Sequence, residues 1–202
     1  AETTSSSNDA WWNLLIEGTG FSQNFPASVG EEIPGMAFID LYASLHGFIE
    51  DAMVAGALNS AGTRTLRVTA WQCEDSCVSS APFLATWNVE GGAHINSCSI
   101  SEGVEELNLN CNVITFGQAG AEGTVWVDIC DDVNCHSQDY AFTVGSAAIS
   151  IEISNQVFDA GGPGEINLSQ SATVKITLEV CGLDCHTSRQ YSFQYDFSSF
   201  IS

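Results

Sequence analysis

Positive charge is what this chain has least of. Its 202 residues include only four basic ones, Arg64, Arg67, Lys175 and Arg189, against twenty-five acidic ones, a net charge of −21. Such a surface repels nucleic acid and anionic lipid, so neither is an expected partner. It suits solubility in a saline medium and attracts divalent cations and cationic partners. Copies packed side by side would need salt or metal between them. No run of eighteen apolar residues occurs, so no membrane span is expected. The opening A-E-T-T-S-S-S-N-D has no basic or apolar leader and reads as a mature N-terminus left after processing. No G-x-S-x-G elbow is present. Carboxylates are too numerous for any pair to mark acid–base chemistry. A hydrolase is therefore the least supported reading, and no enzyme is expected. Charged residues make up only 14% and apolar ones 45%, which excludes a disordered chain.

What is present is alternation. In T-V-W-V-D-I-C-D-D-V-N-C-H-S-Q-D-Y-A-F-T-V, Val125, Val127 and Ile129 alternate with Thr124, Trp126, Asp128 and Cys130. Period two marks a strand with one buried face. A short acidic loop follows, and Tyr140, Phe142 and Val144 alternate again. This is a hairpin with a cysteine at each shoulder of its loop. The device recurs. Leu66, Val68 and Ala70 oppose Thr63, Thr65, Arg67, Thr69, Trp71 and Cys73; C-E-D-S-C turns, and Phe83, Ala85, Trp87 and Val89 return. Val174, Ile176, Leu178 and Val180 oppose Lys175, Thr177, Glu179 and Cys181; C-G-L-D-C turns, and Tyr191, Phe193, Tyr195 and Phe197 return.

The three copies agree in phase. From leading threonine to first cysteine the spacing is ten, six and eight residues, so the cysteine always lies opposite the aliphatic row. The first cysteines are 57 and then 51 residues apart, a period that suits a repeated unit of four short strands. The eight cysteines, Cys73, Cys77, Cys98, Cys111, Cys130, Cys135, Cys181 and Cys185, allow about 105 pairings. Locality favours four consecutive pairs, and disulfides imply an oxidising, extracellular or cell-surface location.

Residues 1–10 read as a flexible lead. W-W-N-L-L-I-E-G-T-G is a strand apolar on both faces, either the first strand of its own sheet or an arm that completes a neighbour's. Gly35 to Leu45 alternates as a strand would. Phe48 to Leu58 is ambiguous, with Phe48, Ala52 and Ala55 spaced for a helix and Gly47 and Gly56 against it. Ile95–Ile100 pairs with Leu107–Phe116, setting Cys98 opposite Cys111. Ala148–Ser154 and Glu165–Leu168 are further strands. The expected fold is all-β: antiparallel β-sandwich units of immunoglobulin-like type with hairpin disulfides. The expected division is 11–90, 91–145 and 146–202, with 91–202 also able to form one sandwich.

F-I-D-L-Y-A-S-L-H-G-F-I-E-D-A-M-V-A-G, leading into G-T-R-T-L-R-V-T-A, resembles the cell-adhesion-related immunoglobulin-like repeats of bacterial surface proteins. V-W-V-D-I-C-D-D-V-N-C-H-S-Q-D-Y-A-F-T-V resembles the last hairpin of bacterial immunoglobulin-like domains, with its loop cross-linked. The resemblance is one of pattern, over about two thirds of the chain. It implies β-sandwich modules used in adhesion or as spacers, and it carries no functional residue.

Candidate sites follow from the same loops. Cys130…Cys135-His136 and Cys181…Cys185-His186 are spaced variants of the c-type haem attachment motif, with His46 and His94 as distal ligands. The first hairpin has no such histidine, so the disulfide reading covers more of the pattern. Zinc on Cys130, Cys135 and His136 lacks a fourth ligand at usual spacing. Asp131, Asp132, Asn134 and Asp139 offer oxygens for calcium, as do Glu31, Glu32, Glu50 and Asp51, although no D-x-D-x-D-G loop is present. Asn167-Leu168-Ser169 is a glycosylation sequon. The ladder Tyr191, Phe193, Tyr195, Phe197, followed by Phe200-Ile201, reads as the core face of the last strand. The expected function is a secreted structural or adhesive surface protein without cofactor, self-associating or binding other surface proteins, and open to fibre assembly by strand exchange. A di-haem electron carrier is the alternative.

Overall fold

The structure, a computed structural model, describes residues 9–26, 28–29, 37–38, 41–73, 76–103, 106–118, 120–154 and 171–198. It divides into two units: Ala1–Leu58 with Gly62–Val89, and Asn59–Ala61 with Glu90–Ser202. The lead 1–8, Glu31, Glu32, the segment Glu165–Leu168 with its sequon, and Phe200-Ile201 lie outside the described residues.

In unit 1, β1 (Asp9–Ile16) lies between β2 (Ser22–Pro26) and β5 (Gly62–Cys73), antiparallel to both. The far edge of β5 is shared by β7 (Phe83–Val89), opposite residues 62–68, and β6 (Cys77–Ser79), opposite 71–73. A two-residue ladder joins β3 (Ser28–Val29) to β4 (Ala37–Phe38). Strand alternation sorts the sheet into two faces. Trp12, Leu14 and Ile16 share one with Leu66, Val68 and Ala70 and with Ala85, Trp87 and Val89.

That face is covered by a helix. α1 (Leu41–Val54) brings Phe48, fully buried, against Phe21, Phe25 and Trp87 at ring distances of 5.4, 5.9 and 6.0 Å. Ala52 and Met53 are buried beside it. Of the strand expected over Gly35–Leu45, the described residues are the two of β4 and the start of α1. Leu41, Leu45, Phe48 and Ala52 follow one another by four, three and four residues, the spacing of one helical face. Over seven residues that spacing mimics alternation. Gly56, at φ +72°, ends the helix in the left-handed region while its N–H bonds back to Met53, and Leu58 is buried just beyond. The layer opposite the unit 1 sheet is therefore this helix, among the described residues, rather than a second sheet.

In unit 2 the strands divide between two antiparallel sheets. One has the order β12 (Ala148–Ser154), β9 (Glu106–Phe116), β8 (Gly92–Glu102). The other runs β11 (Cys135–Thr143), β10 (Glu122–Cys130), β13 (Ser171–Cys181), with β14 (Cys185–Thr187) and β15 (Tyr191–Asp196) sharing the far edge of β13. In chain order the first, second and fifth strands form one sheet and the others form its partner. That is the wiring of an immunoglobulin-like sandwich. Segments 91–145 and 146–202 supply strands to both sheets.

One core lies between them. Leu107, Leu109 and Val113 of β9, Ile149, Ile151 and Ile153 of β12, Val125, Val127 and Ile129 of β10, and Val174, Ile176, Leu178 and Val180 of β13 are all buried. Each such side chain stabilises the fold by about 1.5–3 kcal/mol relative to exposure. A bulge between Ile95 and Ser97 shifts β8 by one residue. Ala93 and Ile95 face inward before it; Cys98 and Ile100 pack against the core after it, which sets Cys98 opposite Cys111.

Candidate functional site

The other face of the unit 1 sheet carries a different set of side chains. The β1–β5 register puts Trp11 opposite Trp71, Asn13 opposite Thr69 and Leu15 opposite Arg67. The β1–β2 register adds Asn24 beside Asn13. Trp11 and Trp71 are partly exposed, 6.1 Å apart between ring centroids and 7° from parallel. One pleat step along, the Asn13 amide donates to Asn24 Oδ1 at 2.8 Å. Beyond it Arg67 Nε lies 2.6 Å from Glu17 Oε1, an ion pair about half exposed on the arginine side. Trp11, Asn13, Leu15, Asn24, Arg67, Thr69 and Trp71 line an open cleft of about 490 Å³. The Trp11–Trp71 pair is not visible from sequence, because its partners come from strands separated by the helix. The available signal was Trp71 itself, a large aromatic in the polar row of Thr65, Arg67 and Thr69.

The cysteines pair as neighbours: Cys73–Cys77, Cys98–Cys111, Cys130–Cys135 and Cys181–Cys185. Three of these bonds close hairpin tips; Cys98–Cys111 crosses the middle of a ladder. β10 and β13 are antiparallel, with Cys130 opposite Thr173 and Thr124 opposite Glu179. The tips at 130–135 and 181–185 therefore lie at opposite ends of one sheet. Each displays an aliphatic side chain, Val133 at 85% exposure and Leu183 at 92%.

The first calcium set is split by the fold. Asp131 Oδ1 accepts the backbone N–H of Val133 at 2.7 Å and of Asn134 at 2.6 Å, a turn that uses the carboxylate within its own loop. Asp139 pairs with Trp126 on the ladder, four residues beyond Cys135, about 13 Å along the strand at 3.3 Å per residue. Of the second set, Glu50 is buried in α1, and Asp51 accepts from Gln23 Nε2 at 3.2 Å. Glu179, Cys181 and Cys185 form the group of potential ligand atoms found among the described residues. Two of its members are bonded to each other, which removes the thiolates that a metal would need.

The haem residues do not fit a haem. Thioether links need the sulfurs of Cys130, Cys135, Cys181 and Cys185, and these are joined in pairs. His186 is buried, and its Nδ1 accepts the backbone N–H of Ala93 at 3.2 Å. His136 pairs with Ile129 on the ladder and is only partly buried. His94 pairs with Ile114 on β8, and His46 lies in α1 of unit 1. The zinc set loses its two thiolates in the same way.

The aromatic ladder lies on the core face. Tyr191, Phe193 and Tyr195 stand opposite Ile176, Val174 and Ala172, whose side chains point inward. Tyr195 Oη donates to Glu102 Oε1 at 2.8 Å, joining β15 to β8. Burial first, and then this carboxylate, push the Tyr195 phenol up to about 12. Phe197 is fully buried, 4.7 Å from the Tyr195 ring.

No family model matches the chain. No curated protein matches it. Among solved structures it is similar to the chicken interferon gamma receptor alpha chain, at 11% identity and a TM-score of 0.31, over 96% of this chain and 87% of that one.

Proposed function

We propose that the protein is a secreted structural or adhesive component, with unit 1 as its contact module and unit 2 as a braced spacer. The observation that carries this reading is the open sheet face bearing Trp11 and Trp71, on the side away from α1. Partly exposed paired tryptophans are an unusual use of apolar surface unless something covers them. Four disulfides in a chain of this size fit an oxidising environment outside the cytoplasm. The likeness of the β10–β11 hairpin to bacterial surface modules fits the same setting. The test is retention of the purified chain on intact cells or cell-wall material. Retention should fall on substituting Trp11 and Trp71. Equal retention of the substituted chain refutes the assignment to this face.

Fibre assembly by strand exchange is the second reading. It is favoured by β1, an apolar strand near the start of the chain that fills the middle of a sheet. A chain lacking residues 1–17 would then fold only when a peptide of that sequence is supplied in trans. A truncated chain that folds alone excludes exchange through β1.

A further inference from the structure

We propose that the Trp11–Trp71 cleft of unit 1 binds an uncharged oligosaccharide, an inference that rests on the adhesive reading above and names its ligand. The rings stack across β1 and β5, 6.1 Å between centroids and 7° from parallel, so each keeps one face turned away from the other. Such an outward aromatic face matches the flat C–H face of a pyranose ring, which buries without losing a hydrogen bond. Such rings specify nothing alone; a sugar also needs partners for its hydroxyl rim. Those lie one pleat step, about 7 Å, along the same strands. Asn13 and Asn24 share one hydrogen bond, Asn13 Nδ2 to Asn24 Oδ1. Each amide offers two N–H groups and one carbonyl, so the pair keeps both donor and acceptor capacity in the cleft. Thr69 adds a hydroxyl beside them.

Charge decides which sugar. Arg67 is the cation of the cleft, and Glu17 already neutralises it at 2.6 Å. The chain carries a net charge of −21. A carboxylated or sulfated glycan would meet repulsion with no surplus cation to offset it. The volume of about 490 Å³ lies in the range of small-ligand sites, and its openness suits an internal segment of a longer glycan.

The test is titration of the full chain with neutral hexasaccharides of the β-1,4-glucan, xylan, mannan and N-acetylglucosamine types. A polygalacturonate oligomer and a proline decapeptide serve as comparison probes, with tryptophan fluorescence and calorimetry as readouts. At least one neutral probe should bind. Trp71→Ala or Trp11→Ala should weaken it about tenfold or more. Trp126→Ala, in unit 2, should leave it unchanged. If the tryptophan variants lose their fold, Asn24→Ala at an exposed side chain carries the test, with an expected loss of about threefold. Absence of any neutral binding, binding indifferent to Trp11, Trp71 and Asn24, or preference for the acidic or proline probe overturns the proposal. Trp71-dependent attachment to cells that neutral sugar does not compete away leaves adhesion standing and removes the glycan. Sugar binding without attachment does the reverse.

Discussion

His186 Nδ1, on β14, accepts the backbone N–H of Ala93, on β8, and so joins the two sheets of unit 2 through a buried hydrogen bond of 3.2 Å. The histidine follows a cysteine in a motif that reads as a haem ligand, yet its ring serves the sandwich. Replacing it with leucine keeps bulk and removes the acceptor, which strands a buried N–H. His186→Leu should cost about 1–3 kcal/mol. His136 holds the matching place in the other tip but is only partly buried, so His136→Ala should cost less than about 0.5 kcal/mol. Denaturant midpoints of the two variants compare them directly, and equal losses would contradict the structural difference.

The disulfides differ in what they close. The tip bonds span four or five residues and Cys98–Cys111 spans thirteen. In the chain-entropy account the tip bonds are worth about 2 kcal/mol each and the longer one about 3 kcal/mol. Replacing both members of each pair with alanine should follow that order, with an added cavity loss at Cys111, which is buried. Intact mass should rise by two hydrogens for each of the four bonds on reduction, with no porphyrin attached. A mass increment of haem size would overturn the pairing.

Gly123 sits opposite Phe142 on the β10–β11 ladder. A Cβ there would come within 2.4 Å of the Phe142 ring and 2.9 Å of the Glu179 carbonyl oxygen. Phe142 is itself buried, and the carbonyl belongs to β13. Gly123→Ala should therefore destabilise unit 2 by about 1–3 kcal/mol. Gly123→Ala paired with Phe142→Leu should recover part of that loss.

Alkaline pH should loosen the β15 edge. The Tyr195 phenol rises from 10.0 to about 12 on folding, through burial and then its bond to Glu102. A raised value means that the folded state holds the proton more tightly. The stabilisation is complete below 10 and is lost as pH climbs from 10 to about 12. Burial raises Tyr140 as well, in the same sense. Tyr195→Phe should be less stable than the parent below 10, and the gap should narrow near 12. A constant gap across that range would mean that the phenol proton plays no part.

The hairpins were legible because strand alternation is a local signal and each cysteine fell on the polar face in phase. Pairing of Cys98 with Cys111 was legible too, although the bulge after Ile95 was needed to turn Cys98 inward. The helix was not, because Ile39, Leu41, Ala43 and Leu45 satisfy period two before the helical spacing through Phe48 and Ala52 declares itself. Nor was the cleft, since Trp11 and Trp71 meet only once β1 and β5 pair across sixty residues of chain. The bond that His186 makes was not legible for a related reason, since its Ala93 partner lies on a facing strand far away in the chain. A histidine after a cysteine looks like a ligand until a facing strand supplies its partner.

Projecting turns are where proteases cut. At 130–135 and 181–185 the residues that an enzyme would grip lie inside loops whose ends are already bonded. Cleavage between Asp131 and Asn134 would sever the peptide and leave both fragments tethered at Cys130 and Cys135. The sandwich would survive as a nicked molecule, and gel bands would part only under thiol. Breakage at these two exposed turns is thereby made survivable.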